Sequence, residues 1–234
     1  MKNYTYFIAA LTGFFLLSCS EQSDTAEKDD STQKKEEVAE VKPTVSVLKS
    51  VERKALPNGT KPDGTFVYAG EWDDAEGKHI VTLARVFSSR EDREYDVTLE
   101  SIHLYARHFL LDTTTNTYKE TWKIKEFIND CEFDLTAEFI GSAIQISDEN
   151  NNGIAEVWTM YKTACRSDVS PCALKLIMYE GTQKHAMRGS MRIDVLEEPM
   201  GGEYKFDNAF VQSDKAIQAY AKKLWEANKN EGFN

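Results

Sequence analysis

The stretch Ala143–Gly189, AIQISDENNNGIAEVWTMYKTACRSDVSPCALKLIMYEGTQKHAMRG, reads as consecutive β-hairpins. Ile144 and Ile146 alternate with Gln145 and Ser147 on the way in, and Val157 to Tyr161 run apolar on the way out. The acidic, Asn-rich segment between them is therefore a hairpin tip. Asp148, Asn150 and Asn152 occupy alternate positions of that tip, Gly153 follows, and Glu156 comes three residues later. Alternate side chains of a tight turn converge, and a glycine permits the reversal, so these residues together with the Ile154 carbonyl offer the hard oxygens that calcium takes. An EF-hand does not fit: its twelfth position needs a bidentate acid, which is Thr159 when counting from Asp148, and the flanks read as strands. The acid that completes the set stands instead at the ninth position from Asp148, which is Glu156. With Asn at two of the three early positions the expected dissociation constant is weak, about 10⁻⁴ to 10⁻³ M.

Working outward, the same pattern recurs. Lys54 to Gly64 is dense in turn formers, which delays the first strand to about Thr65. Thr65 to Trp72 and Lys78 to Phe87 then pair around Asp73, Asp74 and Gly77, and Ser101 to Leu111 with Tyr118 to Ile128 form a second hairpin around DTTTNT. After the central hairpin, Leu174 to Glu180 and His185 to Val195 make a fourth, turning at Gly181 and Thr182, and Glu203 to Val211 adds a last strand. The period then changes: Ile217, Tyr220, Ala221, Leu224 and Trp225 fall on one helical stripe, with Ser213 as its N-cap, giving a helix at about 213–229. Such a stripe is expected to dock on the sheet and not to await a partner. The fold class is all-β, an antiparallel hairpin meander closing as a sandwich or an incomplete propeller, with one C-terminal amphipathic helix.

Catalytic signatures are lacking: no GxSxG, HExxH or phosphate-binding glycine loop occurs, and no cysteine has a motif-level histidine partner. Period two puts His103 and His108 on opposite faces of their strand, so they cannot chelate one metal from it, and both read as surface or half-buried residues. RSDVSP, from Arg166 to Pro171, reads as a turn whose Ser and Asp side chains bond the backbone. The acid pairs Asp73 with Asp74 and Glu197 with Glu198 lie at turns and are expected to be solvated.

The chain has 234 residues and begins MKNYTYFIAALTGFFLLSCS, in which Lys2 precedes an apolar run too short to span a bilayer. Leu16, Leu17, Ser18 and Cys19 look like a bacterial lipobox, so residues 1–18 are read as a signal peptide and Cys19 as the lipid-bearing residue. Residues 19–42 hold eight acidic and four basic side chains with almost nothing apolar, the composition of a disordered tether. Residues 43–234 then form a single domain, long enough for a real core. The expected attachment is to the membrane through lipid, at the outer membrane and with a lean toward the cell surface. A formal net charge of −11 without a basic stripe makes nucleic acid an unsuitable partner. Once Cys19 carries lipid, Cys131, Cys165 and Cys172 remain, and two of them are expected to pair in an oxidising envelope. Cys165 with Cys172 would clasp the RSDVSP turn, whereas Cys131 with Cys165 would tie the entry of the central hairpin to its far end.

The block SDENNNGIAEVWTMYKTACRSDVSPCALKLIMYEG with HAMRG after it, and EWDDAEGKHIVTLAR nearer the start, resembles a family of small Bacteroidota lipoproteins named as surface polysaccharide biosynthesis proteins. The resemblance covers most of the domain. It implies that Cys131 and Cys165 pair and that Cys172 lies outside the pattern, and it brings no catalytic residues. The resemblance implies an effect on surface polysaccharide, and together with the calcium loop it gives the leading reading: a non-catalytic, calcium-stabilised envelope lipoprotein that supports or binds surface polysaccharide, lipopolysaccharide or capsule. A weaker likeness of the single calcium hairpin to periplasmic lysozyme-inhibitor-like β proteins implies the alternative, a protein-binding inhibitor of a lysozyme-like hydrolase. A glycan-modifying enzyme ranks third. Exposed aromatics on a flat sheet face would favour glycan, and a protruding loop with one buried charge would favour the inhibitor.

Overall fold

Five strands in chain order build the first sheet of the computed structural model: β1 (Lys49–Ser50), β2 (Thr65–Asp74), β3 (Gly77–Asp92), β4 (Val97–Asp112) and β5 (Thr117–Cys131). The chain then crosses to a second five-stranded antiparallel sheet through β6 (Asp134–Ser147), β7 (Glu156–Arg166), β8 (Ala173–Glu180) and β9 (Gln183–Ser190). A small ribbon of β10 (Arg192–Ile193) and β11 (Met200–Gly201) follows, and β12 (Tyr204–Phe206) then adds to β9. Two helices end the domain, α1 (Asn208–Gln212) and α2 (Lys215–Asn228). The structure describes residues 44–194 and 198–232; the signal segment, Cys19, the tether, Val195 and Glu197 lie outside them.

The meander forms two packed sheets, and neither a propeller nor a closed barrel. Alternation places Val81, Leu83, Leu104, Ala106 and Ile124 of the first sheet against Ala137, Val157, Tyr161, Ile177 and Ala186 of the second. Strands β7 and β8 read as continuous apolar runs because the second sheet is covered on both faces. The other face of those strands, Trp158, Met160, Leu176 and Met178, meets Phe210 of α1 and Ile217, Ala221, Leu224 and Trp225 of α2. Leu224 and Trp225 are core residues, as the helical stripe requires. On the first sheet's outer face, Val51 and Leu56 pack on Ala69, Ile80 and Phe109, so the turn-rich segment covers the β2 side and leaves the β5 side open.

The last stretch departs from the sequence reading. Strand pairing stops at Phe206, because Asp207 accepts the Phe210 N–H at 2.9 Å and caps α1, which takes Val211 out of the sheet. Ser213 closes α1, donating its hydroxyl to the Phe210 carbonyl, and Asp214 caps α2 through the Ala216 N–H. A two-residue strand, β1, also precedes the one expected at Thr65.

Cys131 ends β5 and Cys165 lies on β7, and the two form a disulfide across the corner where the chain changes sheet. Cys172 is free and buried.

Candidate functional site

The Asn-rich loop is held by its own side chains. Asp148 accepts the N–H groups of Asn152 and Gly153 at 3.0 Å each, Asn150 Oδ1 accepts the Asn152 N–H at 3.1 Å, and Asn152 Oδ1 accepts that of Ile154 at 2.8 Å. Asn151 and Gly153 take the left-handed backbone that the reversal needs. The side-chain oxygens of Asp148 and Asn150 thus meet at one backbone amide, with Asn152 beside them, and their remaining lone pairs suit an oxygen-seeking cation. Glu156 faces inward instead. It is fully buried, accepts the Ser147 hydroxyl at 2.7 Å and the Glu149 N–H at 3.0 Å, and burial pushes its carboxyl up against those hydrogen bonds. Glu180, outside the expected ligand set, accepts both Asn amides, from Asn150 at 2.7 Å and from Asn152 at 2.6 Å.

The first hairpin's tip docks on this loop. Ala75 donates its N–H to the Gly153 carbonyl at 2.9 Å, and Asp74 accepts the Ala155 N–H at 3.0 Å. Asp74 was expected in solvent; its side chain is 2% exposed because it accepts four hydrogen bonds, the others coming from Trp72 Nε1, Glu76 N–H and His79 Nε2. Burial alone would raise its carboxyl, but the His79 and backbone hydrogen bonds outweigh burial and hold it at about 2.

From Asp74 the hydrogen bonds continue inward. His79 Nδ1 lies 3.0 Å from His108 Nε2, and His108 Nδ1 lies 2.5 Å from Thr121 Oγ1. A β-bulge between His108 and Phe109 leaves Thr121 outside the register, which turns it to His108. Trp72 stacks near both imidazoles, Trp122 stacks on His108, and Tyr179 of the second sheet stacks on Trp122 at 4.2 Å. His108 is therefore a buried residue, not a surface one, and burial with the neighbouring His79 pushes it down to about 3. With both rings neutral, His79 donates to Asp74, His108 donates to His79, and Thr121 donates to His108.

Asp74, Glu76 and His79 each bring one ligand atom within 4.8 Å of the others. The Asp74 oxygens and His79 Nε2 are already engaged with hydrogen-bond partners, so the group functions as a joint between hairpins. A cleft of about 150 Å³ reaches His79 beside Trp72 and Tyr118, smaller than the 300 Å³ or so of the least small-molecule sites. His103 faces the opposite side of β4, as period two requires.

That opposite side, the uncovered part of the first sheet's outer face, carries a larger cleft. Its volume is about 400 Å³, with Pro62 and Asp63 of the covering segment on one wall and Val86, Tyr105, Arg107, Glu120 and Lys123 on the strands. The register stacks His103 across from Phe127, Tyr105 across from Lys125, and Arg107 across from Lys123. His103 is fixed between Asn129 Oδ1 at 2.7 Å and the Tyr105 hydroxyl at 3.2 Å, and Arg107 Nε donates to Glu120. Another groove of about 600 Å³ runs between residues 44–48 and β6, but its Val45, Leu48, Ile144 and Ile146 are turned into the core.

At the far corner, Glu231 accepts the Cys172 N–H and thiol and pairs with Arg166. Burial and Glu231 push the Cys172 thiol up to about 12, which leaves no thiolate for catalysis or metal at neutral pH. The RSDVSP turn forms as expected, with Asp168 accepting from the Ser170 N–H at 2.9 Å.

No family model, no curated protein and no solved structure matches this chain.

Proposed function

We propose that this protein is a non-catalytic, glycan-binding component of the bacterial envelope that supports surface polysaccharide, anchored at the outer membrane through lipid on Cys19. The observation that carries this reading is the open outer face of the first sheet, where His103, Tyr105 and Phe127 lie in register beside Arg107, Glu120 and Lys123. Sugars are bound by aromatic rings that cover their apolar faces and by fixed polar groups that take their hydroxyls. Here His103, Tyr105, Arg107 and Glu120 are held by hydrogen bonds before any ligand arrives, which lowers the cost of ordering them. Calcium at Asp148, Asn150, Asn152 and the Ile154 carbonyl, joined by Glu156 once it leaves its inward hydrogen bonds to Ser147 and Glu149, is the proposed stabiliser of the loop on which the first hairpin docks. The resemblance of the Ser147–Gly189 region to Bacteroidota surface-polysaccharide lipoproteins points the same way.

The test is binding of the purified protein to immobilised lipopolysaccharide and capsular polysaccharide, compared with a Tyr105→Ala, Phe127→Ala variant. Binding that falls at least tenfold in the variant is expected. No binding to either polymer, together with inhibition of a lysozyme, would replace this reading with the inhibitor.

A further inference from the structure

We propose that the outer-face cleft takes an acidic glycan, a polymer whose sugars carry carboxylates. This rests on the glycan-binding reading above and adds the charge of the ligand. The domain as a whole is acidic, yet the open rows of this face gather Arg107, Lys123 and Lys125. Arg107 and Lys123 are direct cross-strand neighbours, and like charges in that relation destabilise a sheet unless something neutralises them. Glu120 engages only Arg107 Nε, while the guanidinium lies 5.0 Å from the centre of the Phe109 ring. The two terminal nitrogens of Arg107 have no hydrogen-bond partner among the described residues. Such a planar fork is the group that pairs best with a carboxylate.

Lys123 and Lys125 make no ion pair among the described residues, and Lys125 instead sits 5.2 Å over the Phe127 ring. The cleft therefore presents the Lys123 ammonium and the two terminal nitrogens of Arg107 beside the half-buried aromatic Tyr105, an arrangement complementary to a sugar ring with an acid on it. Asp63 on the facing wall is the one acid in the cleft besides Glu120, and it sets a limit on how strongly an anion is held.

The experiment measures binding of the whole protein to polygalacturonate and to its methyl-esterified form, which has the same sugars without the charge. The expected result is about tenfold tighter binding of the acid form at low ionic strength, with the difference closing as salt is raised to about 1 M. Lys123→Gln should remove most of that difference and Asp63→Asn should enlarge it. Lys123 and Asp63 are exposed, so both variants are expected to fold. Equal binding of acid and ester overturns the charge assignment and leaves glycan binding standing. Absence of binding to both forms overturns the charge assignment. It reaches the glycan-binding reading only if lipopolysaccharide and capsule also fail to bind.

Discussion

His79 Nδ1 and His108 Nε2 lie 3.0 Å apart in the interior of the sandwich, on adjacent strands, with Asp74 at one end of the pair and Thr121 at the other. Buried imidazoles that bond each other need fixed neighbours, and here each neighbour belongs to a different strand. The line Asp74, His79, His108, Thr121 therefore crosses β2, β3, β4 and β5 at one end of the core.

The first prediction concerns acid. His108 is pushed from 6.5 to about 3 in the fold, so between those values the unfolded chain binds a proton that the folded chain refuses. Stability that is fully present above pH 6.5 is lost as pH falls toward 3. Asp74, lowered from 3.8 to about 2, extends the loss below pH 4 with the same sign. Urea midpoints measured from pH 7 to 4 should fall steadily, and His108→Asn should flatten the slope. Should that variant fold poorly, ¹⁵N shifts of the parent protein should still show His108 neutral at pH 5.

Asp74→Asn keeps the shape but loses acceptor sites while four donors still point at the group. Leaving one or two buried donors unpaired costs about 2–4 kcal/mol. The local signature is loss of hydrogen-exchange protection at Ala75 and Ala155, where the first hairpin's tip meets the Asn-rich loop. Protection unchanged at those amides would mean the docking does not depend on Asp74.

Replacing Cys131 and Cys165 by Ala opens a link across a sequence separation of 34. The chain-entropy estimate for a loop of that length is about 4 kcal/mol, which is on the order of 10 °C in melting temperature for a domain of this size. Reductant should lower the parent's melting temperature similarly and leave the double variant unchanged. Cys172→Ala should respond to reductant as the parent does, since its thiol pairs with Glu231 and no sulfur.

Much of this architecture is legible in the sequence because alternation and turn residues are local. Gly181 and Thr182, the tip DTTTNT and the Asn152, Gly153 pair each mark a chain reversal that forms where expected. Two kinds of feature escape local reading. Val211 sits in an apolar stretch that continues a strand pattern, but the Asp207 cap turns the chain into a helix. The histidine line needs a bulge and a neighbouring strand: Thr121 meets His108 only because the β4–β5 register slips there. A signal for part of it was present, since a hairpin turning at Ala75 and Glu76 pairs Trp72 with His79. The outer-face cleft is half legible, because period two groups His103, Tyr105 and Arg107, while its wall, Pro62 and Asp63, comes from a segment with no pattern.

The last prediction is calcium dependence. Asp148 and Asn150 both bond the Asn152 amide, so their free lone pairs crowd one side of the loop, and a cation there would fix the turn that receives Ala75 and Asp74. The nearby Glu180 raises the carboxyl of Glu156 further, beyond the effect of burial, and a bound cation would offset that repulsion. Calcium binding only to the folded state adds about 1.4 kcal/mol at tenfold excess over its dissociation constant, seen as a rise of a few degrees in melting temperature. Magnesium should do much less, because it keeps its water and demands octahedral geometry. Asp148→Asn removes one charge from a half-buried loop and should abolish most of the shift while the protein stays folded. Adding Glu156→Gln should abolish the rest, at a small cost because Gln keeps one acceptor for Ser147 and Glu149. A melting curve of the parent protein that is the same in millimolar calcium and in chelator would leave the loop as a self-bonded Asn-Gly turn, and the hairpin docking would then rest on Asp74 alone.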